Sequence, residues 1–69
     1  MIEVQVAEIN IWLREHNIQD KYNVKIINDP LMGKKIALYE IYTNGTHDLV
    51  VQSRNKDKII TYLGMRVTN

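Results

Sequence analysis

Apolar residues at the start of the chain recur with the period of an α-helix. Four of them fit the i, i+4, i+7, i+11 spacing and fall on a narrow arc of a helical wheel: Ile2, Val6, Ile9 and Leu13. The spacing predicts a helix from Ile2 to His16 whose apolar stripe faces the core, followed by Asn17 in the left-handed conformation. A strand over residues 2–6 is the competing interpretation, and it leaves the continuation of the stripe unexplained.

The spacing of apolar residues changes to two after Lys21. Tyr22, Val24 and Ile26 alternate with polar residues, which predicts a strand with one wet face. Residues 28–35 hold the only proline and are predicted to form a loop. Over residues 36–43, apolar residues occupy both odd-numbered and even-numbered positions, so both faces of the predicted strand are apolar. This is typical of a central strand.

The dipeptide Asn44-Gly45 predicts a hairpin directly after this central strand. It favours a type I′ turn, because both central residues of that turn need a positive φ. Residues 49–53 then form the returning strand.

A short helix completes the predicted order. Ser53 or Asn55 is its expected N-cap, Gly64 is expected to end it after about eight residues, and residues 65–69 form a brief extended tail or a frayed end. The fold class is α+β: a three-stranded antiparallel β-meander with an N-terminal helix and a short C-terminal helix on one face, in the order α-β-β-β-α. A chain of 69 residues supports one core, so residues 1–69 form a single domain.

Composition narrows the classes of protein. With 45% hydrophobic and 25% charged residues, the chain is neither disordered nor membrane-spanning. The absence of cysteine excludes disulfides, thiolate metal sites and a cysteine nucleophile. No secretory signal begins the sequence, so we expect a cytoplasmic protein. The chain is rich in Ile, Asn and Lys and poor in Ala, Gly, Pro and Arg, a bias typical of AT-rich genomes and of their phages.

Catalytic chemistry is not predicted. His47, Asp48 and Ser53 are the residue types of a hydrolytic triad, but neighbours on a strand point to opposite faces, so His47 and Asp48 cannot orient one another. His16 has no second ligand one helical turn away, and each glycine is isolated. We expect no enzyme activity, no metal site and no cofactor.

Charge is distributed unevenly along the chain. Residues 1–29 hold three basic and five acidic side chains, a net of −2, whereas residues 30–69 hold six basic and three acidic, a net of +3. If the loop between the first two strands approaches the start of the second helix, five cations form a basic edge: Lys34, Lys35, Arg54, Lys56 and Lys58. Such an edge binds phosphate, so nucleic-acid binding is an alternative function. The total charge of +1 and the pI near 8.0 are low for a dedicated nucleic-acid domain.

A second apolar strip lies opposite the core stripe of the first helix. Val4, Ala7 and Ile11 form this strip, which we call the outer strip. Tyr39 and Tyr42 are three residues apart on the central strand, so their side chains point to opposite faces of the sheet. One of them therefore faces away from the helices. We predict that Val4, Ala7, Ile11 and Tyr39 bind a host protein or a second copy of the chain. The remaining interpretation is that Val4 and Ile11 are scattered surface residues and that the tyrosines fill space between neighbouring strands.

Two resemblances rest on element order. The order α-β-β-β-α with Asn55-Lys56-Asp57-Lys58 at the second helix resembles the double-stranded RNA-binding domain, which implies RNA contacts at that helix start. Residues 9–15, 22–26, Asn44-Gly45 and Ile59-Ile60 resemble the helix, meander and helix of small phage-encoded inhibitors of the anti-CRISPR type. That resemblance implies an inhibitor that docks on a host protein.

Overall fold

The computed structural model describes residues 1–67. Its elements are α1 (Ile2–Glu15), β1 (Tyr22–Asp29), β2 (Gly33–Ile41), β3 (His47–Ser53) and α2 (Lys56–Val67). The strands form one antiparallel sheet in the order β1-β2-β3, and both helices pack on one side of it. The predicted α+β class and the order α-β-β-β-α are confirmed.

The core lies between the two helices and one face of the sheet. The helices supply residues from one stripe each, and β1 and β2 supply alternate residues. Eight of these form the buried cluster: Ile9, Leu13, Tyr22, Val24, Ile36, Leu38, Ile59 and Leu63. Leu38 lies at its centre, because it pairs with Val24 on one side and with Val51 on the other. The predicted stripe of α1 therefore faces the sheet, with Ile2 and Val6 packed at its margin.

The end of α1 is built as the sequence predicts. Asn17 has a φ of 58°, the left-handed conformation, and its N–H donates to the Arg14 carbonyl at 3.0 Å. The N–H of Ile18 donates to the Leu13 carbonyl at 3.0 Å, which completes a Schellman motif. Ile18 also packs against the core, a contact that frequently accompanies this motif at the residue after the left-handed position.

The loop predicted over residues 28–35 is wrong in length, since the strands continue through most of it. The β1–β2 ladder runs as far as the pair Asp29 and Gly33. The Asp29 side chain accepts the N–H groups of Leu31 and Met32 at 2.9 and 3.0 Å, and Gly33 adopts a φ of 83°. Side-chain capping by Asp29 thus makes a three-residue turn suffice.

The hairpin at Asn44-Gly45 is present, but the predicted type I′ turn is wrong. Within residues 1–67, Gly45 has a positive φ of 86° and Asn44 does not. The Gly45 N–H donates to the Tyr42 carbonyl and the Tyr42 N–H to the Thr46 carbonyl, both at 2.9 Å, giving a three-residue loop. The Asn44 side chain accepts the Thr46 N–H at 3.1 Å, so Asn44 closes this loop while remaining at negative φ.

The prediction that α2 ends at Gly64 is also wrong. Asn55 caps α2 by accepting the Asp57 N–H at 2.8 Å, but the helix passes through Gly64 to Val67. The Arg66 guanidinium lies 3.9 Å from the Glu40 carboxylate, and a cation in the last turn is favoured by the helix dipole. These interactions hold a turn that the glycine alone does not favour; Thr68 and Asn69, the rest of the predicted tail, lie outside the described residues.

A β-bulge interrupts the pairing of β2 with β3. Leu38 pairs with Val51, but Tyr39 pairs with Leu49, so Val50 is an extra residue on β3. Both Val50 and Val51 pack against the core. The bulge therefore explains how two consecutive valines contribute to one core.

Candidate docking surface and its charged surroundings

The outer strip of α1 faces solvent. Val4 is 52% exposed and Ile11 47% exposed, and Ala7 between them is exposed as well. They lie opposite Ile9 and Leu13, which bury the other side of the helix. The structure therefore brings together three of the four residues that were predicted to bind a partner.

The start of α2 holds α1 in position. Gln5 accepts the backbone N–H of Lys56 at 2.8 Å, which satisfies an N–H group of the first turn of α2 that has no partner within its own helix. The Lys56 ammonium donates to the Glu8 carboxylate, and this hydrogen bond raises the pKa of Lys56. Two polar links from neighbouring turns of α1 thus add to its packing on the core, so the outer strip is presented on a rigid support.

A second ion pair joins α1 to the sheet. The Lys34 ammonium donates to the Glu3 carboxylate at 3.3 Å. Hydrogen bonds from its own backbone N–H and from Lys34 lower the pKa of Glu3. Both side chains are more than half exposed, so the pair fixes charge near the strip without contributing much to stability.

Tyr39 lies on the opposite side of the molecule from the outer strip. It pairs with Asn23 and Leu49 on the sheet face that the helices leave open. The Lys25 ammonium lies 5.4 Å from the centre of the Tyr39 ring, a cation–π contact. Ala37 is fully buried on the same face, since longer neighbouring side chains cover it. The structure therefore separates Tyr39 from Val4, Ala7 and Ile11, and long side chains shield part of the open face.

The basic edge assembles only in part. The guanidinium of Arg54 lies beside the turn at Gly33, so the β1–β2 turn does approach the start of α2. Lys34 and Lys35 occupy opposite faces of the sheet, because successive strand residues alternate. Lys35 pairs with Asp29 at 3.2 Å, while Lys34 and Lys56 pair with the glutamates of α1. Arg54 and Lys58 form no ion pair with a carboxylate of residues 1–67.

A polar cluster at one end of the sheet was not predicted. Six side chains from four segments meet there: Tyr22, Glu40, Tyr42, Asp48, Tyr62 and Arg66. The Tyr42 hydroxyl donates to the Asp48 carboxylate at 3.3 Å. Partial burial raises the pKa of Tyr42 and of Tyr62, and the Asp48 and Glu40 carboxylates add to this shift. Both hydroxyls therefore stay protonated near neutral pH, and that of Tyr42 acts as a hydrogen-bond donor to Asp48.

This cluster borders a groove of about 490 Å³, which also touches Ile18, Lys21 and Val67. Hydrogen bonding with Tyr22 raises the pKa of Arg66, and the Glu40 carboxylate adds to that shift. Since the charged groups satisfy one another, the cluster serves to hold the last turn of α2 on the sheet. Only the i, i+4 spacing of Tyr62 and Arg66 is visible in the sequence, because the other contacts of the cluster depend on the strand register.

The histidines take part in local contacts. His47 pairs with Ile41 and Asp48 with Glu40, so the two adjacent side chains lie on opposite faces of the sheet. His16 stacks on Trp12 with 3.7 Å between ring centres, and its Nδ1–H donates to the Trp12 carbonyl at 2.9 Å. Across residues 1–67, no three His, Asp or Glu side chains converge as metal ligands would. Neither helix in this part of the chain has the length and apolar character needed to cross a bilayer.

Comparison of the chain with protein-family models, curated proteins and solved structures gives no match.

Proposed function

We propose that this chain is a small protein-binding module that docks through the outer strip of α1. One observation carries the proposal: Val4 and Ile11 are about half exposed on a helix whose opposite side is fully buried in the core. An apolar strip opposite a core stripe gains free energy from burial only if another molecule covers it.

The other surfaces support binding less well. Long side chains partly shield the open sheet face, as the contact between Lys25 and Tyr39 shows. Carboxylates neutralise three of the five cations of the basic edge. The polar cluster at the sheet end bonds to itself. Leu31 and Met32 of the β1–β2 turn and Met65 of α2 are exposed too, but the outer strip sets two exposed large apolar residues along one helix that Gln5 and Glu8 link to the start of α2.

Within this proposal, the module acts by occupying a surface of its partner. A chain of 69 residues with a docking helix is suited to such a role, which is the role of the small phage-encoded inhibitors that it resembles in element order. We therefore propose a host protein as the target of an inhibitor from a phage or mobile element, acting in the cytoplasm without catalysis.

The test compares Ile11→Glu with a matched control, Leu31→Glu. Leu31 is 93% exposed in the β1–β2 turn, so the control adds the same charge away from the strip. The immobilised chain is incubated with nuclease-treated lysate of an AT-rich bacterium, and a retained protein is then purified and its affinity measured directly. We expect Ile11→Glu to weaken that affinity at least tenfold and Leu31→Glu to leave it within twofold.

Circular dichroism and amide NMR spectra of Ile11→Glu complete the test. A folded variant that binds the purified partner as tightly as the unmodified chain overturns the proposal. Unfolding of Ile11→Glu overturns it as well, because the strip would then belong to the core. A parallel incubation uses lysate without nuclease treatment. If only nucleic acid is recovered there and nothing is retained after nuclease treatment, the result favours the basic edge instead.

A further inference from the structure

We infer that a second copy of this chain covers the outer strip, with the two α1 helices packed antiparallel about a twofold axis. This inference rests on the proposed function and names a partner for the same surface. The spacing of the strip, its charges and the position of its small residue each point to it.

The outer strip has the spacing of a helix-to-helix seam. The intervals along the strip and on to Arg14 are three, four and three residues, through the positions Val4, Ala7, Ile11 and Arg14. That alternation is the narrow a/d pattern by which two helices pack at a shallow angle. A broad groove or a flat surface on a partner would not need so narrow a stripe.

When the twofold axis of an antiparallel pair passes near residue 9, large side chains of one helix lie opposite small side chains of the other. In that register Ile11 lies over Ala7 of the partner copy, and the twofold axis repeats the contact. The small Ala7 side chain leaves room for the larger isoleucine and lets the helices approach closely. The Arg14 stem then covers Val4 of the partner copy.

Charge favours the antiparallel over the parallel arrangement. Glu3 and Arg14 lie on the same flank of the strip at opposite ends of α1. Antiparallel packing sets Arg14 beside Glu3 of the partner copy, whose carboxylate also accepts from Lys34 of its own copy. Parallel packing instead sets the two Arg14 side chains of the seam at the same level. The two Glu8 side chains approach the axis, and each is already neutralised by Lys56. The dipoles of two antiparallel helices also attract one another.

The expected dimer is weak. A 14-residue helix pair buries less than the roughly 1,200 Å² of a standard stable interface. We therefore expect a dissociation constant of about 0.1 mM, which leaves the strip largely free for another partner at low concentration.

Analytical ultracentrifugation from 10 µM to about 1 mM tests self-association. We expect concentration-dependent dimerisation, a dissociation constant at least tenfold higher for Ile11→Glu, and a constant within twofold of the unmodified chain for Leu31→Glu. A chain that stays monomeric over this range overturns the inference and leaves the proposed function to the lysate experiment. Unfolding of Ile11→Glu overturns both.

Introduced cysteines test the orientation, since the chain has none of its own. Chains carrying Ala7→Cys are mixed with chains carrying Ile11→Cys under mild oxidation, and the products are identified by intact mass. Antiparallel packing predicts that the mixed disulfide forms fastest. Faster formation of the two symmetric disulfides shows parallel packing and overturns the inferred arrangement.

Discussion

Asn17 shows how a single backbone angle fixes the exit of α1. A φ of 58° turns the chain so that the N–H of Ile18 reaches Leu13 and its side chain reaches the core. Among residues other than glycine, asparagine tolerates this conformation comparatively well, because its short polar side chain can bond locally. Its place after an apolar stripe made it recognisable in the sequence.

Substitutions at Asn17 should follow the strain of the left-handed conformation. We expect Asn17→Ala to lower the free energy of unfolding by about 1 kcal/mol, and Asn17→Gly to maintain or raise it. Urea unfolding followed by Trp12 fluorescence measures both. Equal stability of the two variants would show that the conformation of residue 17 does not limit the fold.

Asp29 makes the β1–β2 turn sensitive to acid. Hydrogen bonds from the N–H groups of Leu31 and Met32, and then from Lys35, lower the pKa of Asp29. A carboxyl group with a lower pKa in the folded state contributes stability above its unfolded pKa, and this contribution is lost as the pH falls below about 4.

The melting temperature of the unmodified chain should therefore fall between about pH 5 and pH 2.5 more steeply than that of Asp29→Asn. Asparagine keeps the oxygen that accepts both N–H groups but does not titrate. Differential scanning calorimetry measures the two curves, and parallel curves would show that the ionisation of Asp29 has no part in acid unfolding.

At the scale of elements, local patterns indicated every helix and strand, whereas a contact between elements decided where α2 ends. The helical spacing of Ile9 and Leu13 and the alternation from Tyr22 are local signals, visible in the sequence alone. Gly64 is also a local signal, but Arg66 joins the last turn of α2 to Glu40 and Tyr22 on the sheet. That juxtaposition depends on the strand register, so no pattern within residues 56–67 could predict it.

Gly64 is a weak point in α2 that substitution can improve. Within residues 1–67, a Cβ at this position would meet no atom within 4 Å apart from its chain neighbours and the backbone of its own helix, and the residue is helical. We expect Gly64→Ala to raise the free energy of unfolding by about 0.5–1 kcal/mol, since alanine favours the helix and restricts the unfolded chain. Urea unfolding provides the measurement, with Gly33→Ala as a comparison that should destabilise because Gly33 has a φ of 83°. A destabilised Gly64→Ala would contradict this account of α2.

At the scale of the whole molecule, folding pairs the charges that the sequence separates. Glu3 and Lys34 are 31 residues apart, and Glu8 and Lys56 are 48 apart, yet each pair is in contact. The asymmetry between residues 1–29 and 30–69 therefore does not become a basic surface of equal strength. Charge counts along a chain cannot show this, because they carry no information about which strand and helix ends meet.

Releasing the paired lysines should strengthen binding to nucleic acid. The double variant Glu3→Gln/Glu8→Gln removes two carboxylates and so changes the net charge from +1 to +3. We expect its affinity for duplex RNA of about 20 base pairs to rise by about tenfold at low salt, with a steeper salt dependence. Fluorescence anisotropy with labelled RNA measures both quantities.

The matched control is Glu15→Gln/Asp20→Asn. It removes the same charge from carboxylates that form no ion pair within residues 1–67. An equal gain in this control would show that net charge acts without the release of Lys34 and Lys56. Tight binding by the unmodified chain at physiological salt would show that the pairs do not mask the lysines.

The bulge at Val50 has a consequence for aggregation. β3 is an edge strand, and residues 49–52 are uncharged and rich in β-branched side chains, the composition that favours fibril formation. Copies can stack edge to edge only if their strands are flat and keep an unbroken ladder of hydrogen bonds. The extra residue bends β3 and breaks that ladder, so the irregularity that lets two valines reach the core also keeps the free edge from acting as a template for amyloid.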